Sequence, residues 1–184
     1  AGSWASAPSI NTARSNSGNC HIGTTTSSLI MGGGPPGQGI TELYDGSSWT
    51  EVNNLNTVRY ALGGIGASNT SALAIGGEDY PADSPYKANV ESWNGTNWTE
   101  VNDLNTARQA MGTAGTVTSA LAFGGEAPGD AHSAVTESWN GTNWTEVNDL
   151  NEGKRFVGGS GASNTAVLCF GGYTPPATAN VESW

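Results

Sequence analysis

The sequence predicts an all-β fold built from tandem repeats. Residues 91–105 (ESWNGTNWTEVNDLN) recur without change at 137–151, and looser copies lie toward both ends of the chain. Marker residues return at intervals of 44 to 49 positions, which is typical of four-stranded propeller blades. No segment keeps the 3.6-residue apolar period of an amphipathic helix, because Gly or Asn interrupts every candidate. The repeats therefore predict a β-propeller of about four four-stranded blades.

Five sets of marker positions align the repeats. A glutamate and an arginine in every blade predict an internal ion pair rather than four active sites, because burying either charge alone costs several kcal/mol. Regularly spaced tryptophans predict packing between blades rather than platforms for sugar stacking. The sets are an arginine (Arg14, Arg59, Arg108, Arg155), a glycine pair (from Gly32, Gly76, Gly124, Gly171), a glutamate (Glu42, Glu91, Glu137, Glu182), an aromatic (Tyr44, Trp93, Trp139, Trp184) and a tryptophan (Trp4, Trp49, Trp98, Trp144).

The second repeat shows how each blade divides into strands. Residues 60–67 are apolar and glycine-rich, which suits an innermost strand where neighbouring backbones crowd together. Residues 71–75 predict a second strand that ends at a glycine pair, and alternation in 88–93 predicts a third. The dipeptide Asn94-Gly95 predicts a type I′ hairpin turn into an outer strand at 98–101.

The two ends of the chain predict a closed ring. The last repeat stops at Trp184 after three strands, whereas Trp4 precedes Arg14 by ten residues, as Trp49 precedes Arg59. Pairing of the N-terminal strand with the last blade would remove two open edges. A single domain, 1–184, would then hold blades at about 14–49, 59–98, 108–144 and 155–184 plus 1–7. The alternative is strand exchange between chains, which would give a larger ring or a filament.

The cysteines bear on closure as well. Cys20 and Cys169 would become neighbours in a closed ring. A ring-locking disulfide and two buried free thiols are both compatible with the sequence.

The order of the markers resembles the kelch repeat of β-propellers over essentially the whole chain. The resemblance implies a propeller that serves as a binding scaffold. The phrase NGTNWTEVN is also similar to kelch-type arrays of environmental microbes and their phages, which favours an extracellular or virion-surface location. In the second repeat the matching residues are Arg59, Gly76, Gly77, Glu91, Trp93 and Trp98.

Composition and motifs narrow the function. The formal net charge is -10 with six Lys and Arg, so nucleic acid and anionic membranes are not expected partners. The chain has no catalytic signature, and His21 and His132 lack metal-ligand spacing to each other or to the cysteines. We therefore expect no enzymatic activity, no cofactor and no metal.

The most variable segments follow the glycine pairs, and they predict the binding face. Loops on a rigid scaffold commonly carry recognition. We expect a protein or glycan ligand to contact the bulky and charged side chains there. A structural protein that joins subunits through edge strands, as in a fibre, appendage or virion, is the alternative. The candidate ligand-binding residues are Tyr80, Asp83, Tyr86, His132 and Tyr173.

Overall fold

The protein is all-β. A computed structural model describes residues 2–17, 19–20, 23–34, 36–79, 86–129 and 131–184, and no helix occurs among them. The strands are β1 (Asn19–Cys20), β2 (Gly23–Thr24), β3 (Ser27–Met31), β4 (Thr41–Tyr44), β5 (Trp49–Val52), β6 (Gly63–Ser68), β7 (Ser71–Ile75), β8 (Val90–Trp93), β9 (Trp98–Val101), β10 (Gly112–Thr116), β11 (Ser119–Phe123), β12 (Glu126–Ala127), β13 (Ala131–His132), β14 (Thr136–Trp139), β15 (Trp144–Glu146), β16 (Gly158–Ser163), β17 (Ala166–Phe170) and β18 (Val181–Ser183).

The strands form one antiparallel, blade-like sheet per repeat. Sheet 1 has the order β2-β3-β4-β5, sheet 2 β6-β7-β8-β9, sheet 3 β10-β11-β14-β15 and sheet 4 β16-β17-β18. Strand β1 adds to β6 in parallel, so the first repeat contributes to the edge of sheet 2. Strands β12 and β13 form a small hairpin within the loop after β11.

Strand positions in the second repeat follow the prediction closely. Strands β7 and β9 have the predicted bounds, whereas β6 begins at Gly63 because Tyr60 and Ala61 bond to neighbouring segments instead. The turn after β8 is not type I′. Gly95 has a φ of 93° but Asn94 is not among the residues with positive φ. The Asn94 side chain instead accepts hydrogen bonds from the backbone N–H groups of Thr96 and Asn97 in a four-residue connection.

Adjacent sheets pack through two different faces. The front face of a sheet presents larger apolar side chains, such as Leu73 and Ile75, to the back face of the next sheet. That back face carries two alanines on the second strand and two tryptophans in contact, such as Trp139 and Trp144, whose ring centroids lie 5.2 Å apart. Equivalent apolar clusters join sheet 1 to sheet 2 and sheet 3 to sheet 4. The apolar core therefore consists of three similar clusters, one at each junction between neighbouring sheets.

Glycine permits the innermost strands to approach one another. A Cβ at Gly159 in β16 would lie 2.6 Å from the carbonyl oxygen of Thr113 in β10. A Cβ at Gly63 in β6 would lie 2.5 Å from a methyl carbon of Thr113. The inner strands are therefore rich in glycine because their backbones crowd together, as the sequence predicted.

No closed ring of sheets is detected among the described residues, so the predicted closure within one chain is not confirmed. Sheet 4 has three strands, and residues 2–10 belong to no strand. Trp4 is fully exposed, and the front face of sheet 4 remains uncovered. Among the described residues, no hydrogen-bonded strand pair or buried apolar cluster joins sheet 4 to sheet 1.

Candidate functional site

The repeated charges form buried ion pairs. Arg14, Arg59 and Arg108 each place a terminal nitrogen 2.6 to 3.1 Å from the marker glutamate of their sheet, with the arginine side chains fully buried. Burial lowers the pKa of Arg59 and Arg108, and the nearby carboxylates oppose that shift. Since the guanidinium nitrogens also donate to backbone carbonyls of the same sheet, each arginine fastens a crossover segment to a sheet.

In the fourth repeat the buried cation is Lys154 rather than the predicted Arg155. Lys154 Nζ lies 2.6 Å from Glu182 Oε1, and the Lys154 side chain is fully buried. The sequence contained the signal for this assignment: Trp144 precedes Lys154 by ten residues, as Trp98 precedes Arg108, whereas Arg155 is eleven residues away. Arg155 instead pairs with Glu126 of strand β12, in the loop after β11.

The marker glutamates also organise the crossover from the preceding sheet. Glu91 accepts from the backbone N–H groups of Asn56 and Thr57 and from the Asn56 side chain. The same Asn56 amide donates to the carbonyl oxygen of Trp98, which belongs to the outer strand of the glutamate's own sheet. An asparagine three residues before the buried cation therefore links the crossover to the third and fourth strands of the next sheet.

The marker tryptophans occupy two environments. Trp98 and Trp144 are buried between sheets, as the sequence predicts, whereas Trp49 is half-buried and Trp4 is exposed. Trp98 Nε1 donates to Thr41 Oγ1 at 3.0 Å across the junction of sheets 1 and 2. The equivalent Trp144 Nε1 finds no hydrogen-bond partner in the described part of the chain, because Val90 occupies the position of Thr41.

Loops after the second strand of each sheet and the crossovers between sheets share one edge of the array, called here the loop face. Of the predicted binding residues, Tyr80 and Asp83 lie outside the described residues. Tyr86 pairs through its backbone with Glu78, near the junction of sheets 2 and 3. His132 and Tyr173 come together at the junction of sheets 3 and 4, where their rings lie 5.8 Å apart, edge to face.

Arg155 and Phe156 complete a cluster around Tyr173 that the sequence did not predict. The Arg155 guanidinium carbon lies 5.4 Å from the ring centroid of Tyr173 and 5.2 Å from that of Phe156. Phe156 is 62% exposed and Tyr173 38% exposed. Phe156 has a φ of 55°, a conformation uncommon for a bulky side chain. We call His132, Arg155, Phe156 and Tyr173 the loop-face patch.

The loop-face patch is held by the fold beneath it. Arg155 and Tyr173 exchange two backbone hydrogen bonds of 2.8 and 3.2 Å, and the Arg155 side chain is paired with buried Glu126. The preceding crossover runs so close that a Cβ at Gly153 would lie 2.4 Å from the His132 carbonyl oxygen. The His132 Nε2 atom is buried and has no hydrogen-bond partner among the described residues.

A second opening lies between sheets 3 and 4. This cavity of about 390 Å³, called here the strand groove, is lined by Thr136, Asn148, Leu150, Asn151, Cys169 and Trp184, among others. Trp184 is 44% exposed there.

Cys169 is a buried free thiol, and desolvation by burial raises its pKa although Lys154 opposes the shift. The free thiol of Cys169 agrees with one of the two alternatives predicted for the cysteines, and the Cys20 side chain lies outside the described part of the structure.

Comparisons with known proteins give no assignment. No protein-family model matches the chain, and no curated protein matches it. None of the residues described by the structure forms a helix that could span a bilayer. Across the same ranges, His, Cys, Asp and Glu side chains form no group of three or more that could hold a metal ion.

Proposed function

We propose that the chain is a non-enzymatic binding scaffold of the kelch-like propeller type, which recognises a protein or glycan through its loop face. The observation that carries this proposal is the loop-face patch. Two aromatic rings stand exposed on either side of Arg155, at the edge of two tightly packed sheets. None of the three side chains occupies a position that the core of the repeat requires.

The chemistry of the patch suits a macromolecular surface. Tyr and Arg are enriched among residues that dominate binding energy at protein interfaces, and an exposed Phe adds apolar area that a partner can bury. The patch is also preorganised, because Arg155 is fixed by Glu126 and by its backbone bonds to Tyr173. Binding therefore loses little side-chain and loop entropy. This combination favours a protein ligand, with a glycan stacked on Tyr173 as the other possibility.

The strand order and the repeated junctions support the kelch-like propeller assignment. Sheets 1 to 3 each run from an inner strand to an outer strand with tryptophan, and a crossover leads from each of them to the inner strand of the next sheet. The buried arginine or lysine, the glutamate and the glycine pair recur in each sheet, and their bonding is the same in sheets 1 and 2 and, apart from the lysine that follows, in sheet 3. Radial repetition of one such unit is the architecture of propellers.

The test uses residues borrowed from other repeats, so that the fold is retained. Phe156→Asn introduces the residue that repeat 1 carries at this position, Asn16 with a φ of 49°. Tyr173→Glu introduces the residue found at the equivalent positions Glu78 and Glu126. We expect the double variant to lose at least about tenfold in affinity for ligands identified with the wild type on glycan and protein arrays.

The control changes the opposite edge of sheet 3. Asn140→Asp places in its hairpin turn the residue that sheet 1 carries as Asp45. We expect this variant to bind like the wild type, with circular dichroism and urea midpoints unchanged for all variants. Normal binding by the double variant, or equal loss in both, would exclude the patch as the ligand site.

A structural role is a second candidate function, and the open edge of β18 favours it. Sheet 4 lacks the outer strand that the other three sheets have. An unpaired edge of this kind is a site for adding a strand from another chain. We propose assembly through edge strands as the function to test beside ligand recognition.

A further inference from the structure

We propose that the strand groove accepts residues 2–7 of a second copy of this chain, with Trp4 as the anchoring side chain. The inference deepens the assembly function proposed above and does not depend on ligand recognition by the loop-face patch. Its basis is that the groove repeats, position by position, the residues that hold an outer strand at the two complete junctions.

The complete junction between sheets 1 and 2 shows what an outer strand requires. Trp98 Nε1 donates to Thr41, the residue before the marker glutamate of the preceding sheet. Asn53, six residues before the buried Arg59, donates to the carbonyl oxygen of Thr96 at 3.0 Å and to the Asn97 side chain at 2.7 Å. The indole of Trp98 packs against Trp93, with ring centroids 5.3 Å apart and the ring planes tilted by 43°.

The strand groove offers the same groups without the strand. Thr136 precedes the marker Glu137 and is buried with a hydroxyl, as Thr41 is. Asn148 precedes the buried Lys154 by six residues, so it takes the place of Asn53. Asn151 takes the place of Asn56, and Trp184 takes the place of Trp93 with its ring partly exposed. Three hydrogen-bonding groups and one aromatic surface therefore face an unfilled strand position beside β18.

The N-terminal segment carries the complementary groups. Trp4 precedes Arg14 by the same ten residues that separate Trp98 from Arg108, and Ser3 precedes Trp4 as Asn97 precedes Trp98. Trp4 is the most exposed large apolar side chain of the described residues. Binding would bury the exposed Trp4 side chain, and pairing of residues 2–7 with β18 would fill the unpaired edge of that strand.

The anchoring of residues 8–14 favours a second copy as the donor. Trp49 Nε1 donates to the Pro8 carbonyl oxygen at 3.1 Å, and Asn11 and Thr12 donate to Glu42, so the segment is fixed on the back of sheet 1. Its own sheet 4 stands at the other end of the array. In this structure residues 2–7 belong to no strand and Trp4 is fully exposed, so the N-terminal segment does not occupy the strand groove of its own chain.

Faces at the two ends of the array also match. On the front of sheet 4, Leu168, Phe170 and Val181 are 46%, 43% and 61% exposed, whereas their equivalents in sheet 3 are buried. On the back of sheet 1, Ile30 and Trp49 are only half-buried. Docking sheet 1 of one copy on sheet 4 of another would bury both faces in a head-to-tail junction. Such a junction closes a ring of copies or extends into a filament.

Cysteine cross-linking distinguishes a second copy from the chain's own N-terminus. The variant Ser3→Cys with Asn148→Cys places thiols at the positions that Asn97 and Asn53 hold in contact at the first junction. Both native cysteines are changed to alanine, which the equivalents of Cys169 in sheets 2 and 3 already are. Oxidation should give disulfide-linked dimers and larger species on a non-reducing gel. A cross-linked monomer, or no cross-link, would overturn the proposal.

A matched control and a mass measurement complete the test. Ser3→Cys with Asn53→Cys should not cross-link, because Asn53 already faces the turn of sheet 2 in its own chain. In sedimentation velocity on the protein with native cysteines, we expect concentration-dependent oligomers that Trp4→Ala weakens about 30-fold or more. If Trp4→Ala leaves the oligomers unchanged, the strand groove is not the contact between copies, although assembly as a function is still supported. If the protein is a monomer at all concentrations, the strand-groove contact and the assembly function are both rejected.

Discussion

Lys154 and Glu182 reproduce, with a different cation, the buried pair that Arg108 and Glu137 form in the preceding repeat. The Lys154 ammonium lies 2.6 Å from one carboxylate oxygen of Glu182, and the other oxygen accepts from the Asn151 backbone and side chain. The compact ammonium of Lys154 thus takes the place of the planar guanidinium of Arg108, which also donates hydrogen bonds to backbone carbonyls. Sheet 4 is fastened to its crossover by fewer bonds than sheet 3.

Removing the buried cation should destabilise the protein far more than removing its exposed neighbour. Lys154→Ala leaves Glu182 without its charge partner, and we expect a loss of about 3 kcal/mol in the free energy of unfolding. Arg155→Ala removes a partly exposed pair, for which about 1 kcal/mol or less is expected. Urea unfolding followed by tryptophan fluorescence measures both. Lys154→Arg should stay close to the wild type, and equal losses for the two alanine variants would contradict the assignment of Lys154.

Stability should depend on pH through Glu182. Burial by itself raises the Glu182 pKa, but hydrogen bonds from Lys154 and Asn151 outweigh burial, so the pKa lies below its ordinary value of 4.5. The unfolded chain therefore binds this proton more readily than the folded one. The stabilisation is present above about pH 4.5 and is lost as the pH falls through the lower, folded-state pKa.

The matched variant for this prediction is Glu182→Gln. We expect the difference in unfolding free energy between wild type and variant to shrink between pH 6 and pH 3, measured by urea titrations at each pH. A difference that is constant over this range would show that Glu182 does not titrate differently in the folded protein.

A single hydroxyl should distinguish the two buried tryptophan junctions. Val90→Thr keeps the side-chain shape and supplies an acceptor for Trp144 Nε1, as Thr41 does for Trp98. We expect the variant to be at least as stable as the wild type, with a gain of up to about 1 kcal/mol from the new hydrogen bond. Thr41→Val should cost about 1 to 3 kcal/mol, because the Trp98 donor is left buried without an acceptor. A clear loss for Val90→Thr in urea unfolding would argue against equivalent junctions.

Local signals in the sequence predicted the strands within each sheet better than they predicted how the two ends of the chain are arranged. Glycine pairs and tryptophan spacing placed β7 and β9 at their observed bounds. The start of β6 was misplaced because Ala61 adopts a φ of 51° and bonds to Asn16 of the previous repeat, which apolar patterning does not report. Closure by Trp4 was predicted from the spacing of the repeats and is not confirmed here, because the position of the last sheet relative to the first depends on side-chain packing at each junction and has no periodic signature in the sequence.

The loop-face patch was also predicted only in part from the sequence. His132 and Tyr173 were predicted from their place in variable segments, and the structure brings them together. Arg155 was misassigned because it lies one residue after the buried cation, so its side chain serves the surface rather than the core. Phe156 escaped prediction because the equivalent positions carry Asn16, Ala61 and Ala110, which share its backbone conformation and not its size.

The identical phrases at 91–105 and 137–151 make corresponding contacts at successive junctions: Asn105 and Asn151 each bind the next glutamate, and Trp98 and Trp144 each pack on the preceding sheet. A repeat inserted between them by unequal recombination would meet a ready partner on both sides. The number of sheets can therefore change in one genetic step, without any new interface having to evolve. Copy number, more than point substitution, is the variable through which such a gene can alter the size and curvature of its product.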